Sequence, residues 1–502
     1  MTSTSSSPVP SPPVPSPPVP SVPLIADESP VRGLTRRQLP FVAVVAQSVA
    51  AIAPAGTSAV TPLFVIVAAG GARSIAAFLT ALVVIMFVAL CIRPMAQRVA
   101  VVGGLYSYVA QAYGARTAMV TAWSAVVGYT AVSVAGLMAV GLYTNHIAIS
   151  AGVTQRVSQV AMSAIVVLAA VVMAFVMIRG VKVSAVVILC IELLAVVVMV
   201  ALMLWLGYTH RDQPWRLSDA HPNPDGSLAL SVVVAVSAFV GFESSTTLSA
   251  EARRPFRSVP RALLWTPLLA GVIYLLAVSS QSAAMAGASE SVRESSTPLA
   301  ALFLSDGSPV AAVILDVGIA TSFLACAMAS VNALVRVLFT LGREHIIPKQ
   351  FGATHRRLHT PAFATAIATS VVALGPLMFL WFGGDPEEGV RDFLTLSALG
   401  YMGSYVAACL AAPRLLRRMG ELTRPLLVAS WGTASGLVIL LGLGATMSDS
   451  GDRVTFLCFF GSVAVVAIAV VVIYAQWPAR FARVGVFDET NRDDVLALPG
   501  LR

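Results

Sequence analysis

Apolar runs long enough to cross a bilayer follow one another from about residue 41 to residue 475, and they restrict the chain more than any other feature. An α-helix rises 1.5 Å per residue, so about 20 residues cover the ~30 Å of hydrocarbon. Runs of that order fall near 41–69, 74–92, 117–145, 158–178, 183–207, 228–249, 261–284, 310–339, 362–382, 392–412, 425–446 and 454–475. Their hydrophobic residues do not alternate with a period of two, which excludes a strand barrel. The pattern predicts an all-α polytopic membrane protein of about twelve transmembrane helices in a lipid bilayer. Only 11% of residues are charged and 57% are hydrophobic, where a soluble domain carries about 25% charged residues. The net charge of +8 would suggest nucleic-acid binding in a soluble chain. Here the basic residues lie in short loops between apolar runs, so they set topology and imply no nucleic-acid partner.

Loops on one side collect Arg32, Arg36 and Arg37, then Arg93, Arg98 and Arg116, then Arg179 and Lys182. The same side continues with Arg253, Arg254, Arg257 and Arg261, with Arg343, Lys349, Arg356 and Arg357, and with Arg414, Arg417, Arg418 and Arg424. The other side holds only Arg73, Arg156, Arg211, Arg216, Arg293, Arg391 and Arg453. Positive residues mark the cytoplasmic side, so both termini are expected in the cytoplasm of a protein in the cell membrane. Losing or gaining one helix would invert the later loops, so the pattern supports the count as well as the direction. Residues 1–30 are Ser/Pro-rich and offer nothing to nucleate a core, which predicts a disordered cytoplasmic tail; residues 479–502 form a short second tail. Cys91, Cys190, Cys326, Cys409 and Cys458 each lie in an apolar stretch without metal spacing, which reads as small buried hydrophobes.

Two spans are irregular. The first places Pro54, Ala55 and Gly56 in mid-membrane, followed by Thr57 and Ser58. Proline removes a backbone donor and disfavours helix in the residue before it, so this is an unwound point or a simple kink. The sixth reads SVVVAVSAFVGFESSTTLSAEARR and sets Gly241 beside Glu243 in an apolar run. A bare carboxylate in lipid costs roughly 2.5–3.5 kcal/mol on insertion scales and turns toward protein or a wet cavity. Interrupted spans in corresponding positions of two halves point to a transport site, with half-helix N–H groups facing anionic groups and half-helix carbonyls facing cations. With five helices per half, the halves are inverted and the two interruptions face each other.

The stretch GFESSTTLSAEARRPFRSVPRAL resembles the sixth-helix motif and following loop of the amino acid–polyamine–organocation permeases. GGLYSYVAQAYG, QSVAAIAPAG, SVNALVRVLFTLGREHIIP and THRRLHTP resemble other landmarks of that family in order, over about residues 35–480. The resemblance implies a LeuT-type fold: a first five-helix repeat at 35–210, a second at 211–413, and two additional helices at 414–478. It also implies carriage of an amino acid or related amine, by proton-coupled symport or exchange, and no cofactor. By the same resemblance a substrate carboxylate meets backbone N–H groups at Pro54, Ala55, Gly56 and Thr57. The ammonium meets carbonyls at Ala238, Phe239 and Val240 beside Gly241, and Phe239 shields the site. Glu243 matches a helix 6 glutamate with a coupling role. One departure is Pro-Ala-Gly where the family often has a Gly-Ser/Ala-Gly run, so one N–H contact is missing or moved. A second is Glu192, the only mid-span charge of the fifth helix, one turn before the family's lysine position; it is a proton carrier, a group that draws a cationic substrate, or a structural glutamate bonded to a neighbouring helix.

Other polar residues read more plainly. Asp316 is expected to cap or snorkel at its helix end, and Asn332 and Arg336 to tie the eighth helix to nearby loops. Thr321, Ser322 and Ser330 are expected to bond back to their own helix, and Tyr106 and Tyr108 to sit at the membrane interface. No Walker A motif, HExxH metal pattern or nucleophile–base pair suggests ATP use, a metal or enzymic work. The expected function is a secondary transporter by alternating access, coupled to a proton through Glu243 or Glu192 rather than to sodium. The alternatives are a major-facilitator-like exporter, whose GxLaDRxGrk-type loop after the second helix is not matched by RPMAQRVAVVGGLYSYV here, and a membrane channel or sensor.

Overall fold

The structure is a computed structural model that describes residues 33–150, 155–211, 228–293, 295, 297–447 and 450–488. The N-terminal tail predicted for 1–30, and the chain beyond Asp488, lie outside the described residues. Twelve helices among the described residues are long and apolar enough to span a membrane. We number them α1 (Phe41–Ile52 and Pro54–Ala69, written α1a and α1b), α2 (Gly71–Ala96), α3 (Ala115–Ser150), α4 (Gln155–Ile178), α5 (Val181–Thr209) and α6. The last consists of α6a (Leu228–Ser237) and a 3₁₀ segment α6b (Phe242–Leu248). Then come α7 (Pro255–Gly287), α8 (Pro309–Arg343), α9 (Ala362–Trp381), α10 (Pro386–Arg418), α11 (Arg424–Met447) and α12 (Ser450–Gln476). Among the described residues there is no strand, only one isolated bridge between Leu39 and Ala252.

The runs read from the sequence map one to one onto these helices. The ends differ most at α7 and α10, where Pro255 and Pro386 open each helix several residues before its apolar run. Proline at the first helical position costs nothing, because that N–H has no partner anyway. Asp385 accepts from the N–H groups of Glu387 and Glu388 and so caps α10.

Burial sorts the helices. α1, α3, α6 and α8 are buried along most of their lengths, whereas α11 and α12 are mostly exposed. What they expose is apolar, including Val428, Val438, Leu457, Val465 and Ile468. Water does not tolerate an apolar surface of that extent, and lipid does. Cys190 of α5 and Cys458 of α12 are exposed, so they are not the buried hydrophobes expected of them; Cys91, Cys326 and Cys409 are.

Small residues let the buried helices approach closely. A Cβ on Gly400 of α10 would lie 2.4 Å from the backbone nitrogen of Gly128 of α3, and one on Gly136 of α3 would lie 2.8 Å from Phe323 O of α8. α3 is thus wedged between α8 and α10, which fixes the wall opposite α1 and α6.

The loops that the charge pattern placed on one side do come together. Arg336 pairs with Glu251 at 2.9 Å, Arg36 with Asp488 at 2.7 Å, and Arg414 Nε donates to Ala112 O at 2.9 Å. Glu344 accepts from the backbone N–H of Gly485 at 2.7 Å and of Val486 at 2.9 Å, and from the Tyr106 hydroxyl. This is the arginine-rich end. Tyr106 and Tyr108 are fully buried there and are not the interfacial belt expected, because their hydroxyls find acceptors inside the protein.

Candidate functional site

The first span breaks at a single residue. Ala53 adopts the left-handed conformation (φ 50°, ψ 57°), and Pro54 begins a new helix at its first position. The sequence pointed to Pro54–Gly56 as the unwound stretch; the structure moves the interruption one residue earlier. The reason lies in proline itself. Its ring suits the first turn of a helix and its clash falls on the preceding residue, so Ala53 leaves the helix and Pro54, Ala55, Gly56 and Thr57 are helical.

Two backbone donors of that new first turn are available to side chains. Pro54 has none, and Thr57 N–H already bonds to Ala53 O at 2.8 Å. Ala55 N–H donates to Glu192 Oε1 at 3.4 Å and Gly56 N–H donates to Ser322 Oγ at 3.0 Å. The Ser322 hydroxyl in turn donates to Glu192 Oε1 at 3.0 Å. A carboxylate on the positive end of a half-helix is the expected electrostatic arrangement, and here it comes from the chain's own α5. The other oxygen, Glu192 Oε2, is buried without a hydrogen-bond partner. Ser322 therefore does not bond back to its own helix as expected, although Thr321 does, at 2.8 Å to Val317 O.

The sixth span breaks over Ala238, Phe239, Val240 and Gly241. Gly241 has φ 98°, and α6b that follows is 3₁₀. Only glycine takes that conformation without strain. Space also demands it, since a Cβ there would lie 2.9 Å from Ala51 O on α1a. The Gly241 N–H donates to the Tyr405 hydroxyl at 3.0 Å. Tyr405 donates to Glu243 Oε2, and Tyr129 donates to Glu243 Oε1 at 3.1 Å. Glu243 is thus held between α3 and α10 with both oxygens occupied.

The two interruptions meet. Ser245 N–H donates to Ser48 Oγ at 3.0 Å, and the Ser244 hydroxyl donates to Gln47 O at 3.2 Å. The Tyr274 hydroxyl of α7 donates to Ala238 O, just past the end of α6a, at 2.8 Å and lies 3.4 Å from Ile52 O at the end of α1a, which also accepts from the Thr57 hydroxyl at 2.9 Å. Phe239 is fully buried and packs edge-on against the Tyr274 ring, with centroids 5.0 Å apart. Phe323 closes the top of the first interruption: a Cβ on Gly56 would lie 2.9 Å from its ring. Every residue from 50 to 59 and from 238 to 252 is buried.

The residues read as substrate-binding or proton-coupling, Pro54–Thr57, Ala238–Gly241, Glu192 and Glu243, lie in this cluster. Glu192 and Glu243 serve different interruptions, one from α5 and one within α6. Sequence reasoning missed Tyr129, Tyr274 and Tyr405 and undervalued Ser322. The signal was available, because a tyrosine in mid-span must find a hydrogen-bond partner for its hydroxyl or lose free energy. Asp316 also differs from expectation. It lies two turns past the Ser308 N-cap of α8, so it neither caps nor snorkels.

These features define a class: a multi-pass helical membrane protein whose first and sixth spans are interrupted and abut. The amino acid permease family matches residues 39–483, and the chain belongs to that family. A D-serine/D-alanine/glycine transporter of Escherichia coli (strain K12) is 29% identical over 169 residues, which is 34% of this chain and 35% of that protein. A low-affinity putrescine importer of the same strain is 22% identical over 312 residues, 59% of this chain and 66% of that one. A branched-chain amino acid permease of Bacillus subtilis (strain 168) is 22% identical over 251 residues, 49% of this chain and 50% of that one. The aligned stretch thus spans about a third of the transporter, two thirds of the importer and half of the branched-chain permease.

Proposed function

We propose that this protein is a secondary active transporter of an amino acid or related amine, working by alternating access in the cell membrane, and not an enzyme. The observation that carries this reading is the abutment of two interrupted spans, whose half-helix carbonyls and helix-start N–H groups are held by side chains (Tyr274, Ser322 and Glu192) rather than by their own helices. Half-helix ends are suited to the two charges of a zwitterion. The helices of 35–210 and 211–413 are two inverted repeats, α1 and α6 opening each, with α11 and α12 appended. The arginine-rich end faces the cytoplasm, as the loop charges favour. Ion pairs and the segment Gly485–Asp488 close that side in this structure, while two cavities open at the opposite, outer end.

The geometry suggests how a proton is coupled. Glu192 occupies the Ala55 N–H that a substrate carboxylate would use. Protonation of Glu192 weakens that hold and leaves the Ala55 N–H to the incoming carboxylate, with Gly56 N–H beside it on the Ser322 hydroxyl. Departure of the substrate lets Glu192 return and release its proton. Glu243 stands at the hinge of α6, where its tyrosine partners on α3 and α10 join the moving bundle to the wall.

The test is uptake into proteoliposomes of a radiolabelled amino-acid and amine panel under imposed proton and sodium gradients. The wild type should accumulate substrate with the proton gradient alone. Glu192→Gln and Glu243→Gln should retain exchange of pre-loaded substrate but lose proton-driven accumulation. Normal accumulation by both variants would overturn the coupling assignment, and accumulation driven by sodium alone would replace the ion.

A further inference from the structure

Two cavities open at the arginine-poor end. One, of about 530 Å³, reaches down to Ala59 of α1b and Ile319 of α8, beneath Tyr143 of α3. The other, of about 1340 Å³, runs beside His146 and Trp381. Asp316 lines both. It is only 7% exposed, and its Oδ1 is buried without a hydrogen-bond partner. A carboxylate left so is costly unless something completes it.

The surroundings select what that is. Charged groups lining the smaller cavity are Asp316, Asp385, Glu387 and Glu388, against Arg293 and Arg391. Both arginines have other acceptors: Arg293 Nη2 donates to Ala286 O at 3.2 Å, and Arg391 Nε lies 3.9 Å from Asp392. Among the described residues, the charged groups lining the larger cavity are Asp316, Asp385 and Glu387, with His146 beside them and no lysine or arginine. Such a lining attracts cations and repels carboxylates. Leu142, Leu315 and Ile319 supply apolar wall beside the carboxylate. Among the described residues no three metal-type ligands gather, which favours an organic cation. Asp316, Ile319 and Phe323 share one helical face at i, i+3 and i+7. Asp316 therefore stands roughly 10 Å along the axis from the Phe323 seal over the first interruption.

We propose that Asp316 anchors a vestibular subsite for an ammonium group on an aliphatic stem, as in a diamine or the side chain of a basic amino acid. The carboxylate accepts the ammonium N–H groups, the apolar wall holds the stem, and the Tyr143 ring offers a face to the cation. The inference rests on the transport reading in that the subsite lies on the path to the interruptions and favours amines among the substrates.

The experiment measures binding and uptake separately, with putrescine and alanine as probes on the full-length purified protein. Wild type should bind putrescine. Asp316→Asn should weaken putrescine binding about tenfold, the loss of one charge-assisted hydrogen bond, while alanine binding changes less than about twofold, within ordinary surface-level variation. Asp316→Glu should recover part of the loss. In a chain that keeps Asp316, a cysteine at Ala300, which lines both cavities, should be protected from a thiol reagent by putrescine and not by alanine. That arm decides the matter if Asp316→Asn does not fold. Absence of putrescine binding, equal weakening of both ligands, or no protection at Ala300→Cys would overturn the subsite. Putrescine binding that needs Asp316 without uptake of any substrate would keep the subsite and overturn the transport reading.

Discussion

At the residue scale, the arrangement turns on positions where one atom decides the backbone. Gly241 carries φ 98° and faces Ala51 O with no room for a methyl group. Gly241→Ala must strain its own backbone and separate α6 from α1a, at a cost of about 1–3 kcal/mol. A fall in thermal unfolding temperature in detergent, together with loss of uptake, is the expected result. A stable and fully active Gly241→Ala would show that the interruptions need not touch. Glu243 and Glu192 differ in a way that no residue-type argument exposes. Glu243 has both oxygens held by tyrosines, whereas Glu192 has one oxygen buried and unpartnered.

At the element scale, the hinge of α1 is a single alanine in a conformation that L-residues avoid by about 1–2 kcal/mol. Ala53→Gly removes that penalty and keeps the bend, so it should raise the unfolding temperature modestly, a gain of up to ~1 kcal/mol. Uptake should persist, because Pro54 still opens α1b. A loss of stability would mean that the methyl group of Ala53 packs more favourably than its backbone is strained. The twelve helices and the two irregular ones were legible because hydropathy and proline act locally. Which residue breaks was less legible, because Pro54 displaces the interruption onto a neighbour that carries no special signature. The partners of Glu243 were hidden for a different reason. Tyr129 lies 114 residues away and Tyr405 162, so only tertiary packing brings them together. Short helices such as Leu105–Tyr113 lack the length to register as apolar runs and were read as loop.

At the scale of the whole molecule, the segment Gly485–Asp488 packs over the arginine-rich end. Burial pushes the Glu344 carboxyl up from its ordinary 4.5 to about 7, against the pull of the Val486 and Gly485 N–H donors. The folded protein therefore holds a proton that the unfolded chain's carboxyl releases between those values, so this group's contribution to stability is full below about 4.5 and is lost as pH rises to about 7. Thermal unfolding in detergent should show the wild type losing stability across that range and Glu344→Gln losing less. An identical pH dependence in both proteins would show that Glu344 stays solvated. Tyr274 has a wider consequence. One phenol lies within reach of carbonyls on both interrupted spans, so neither can swing without untying the other, and a half-turned molecule has nowhere to rest. Rapid-mixing traces of the wild type should then show one concerted transition. Tyr274→Phe together with Ser48→Ala, which also removes the acceptor of the Ser245 N–H, should split it into two, exposing the fleeting species that these ties forbid.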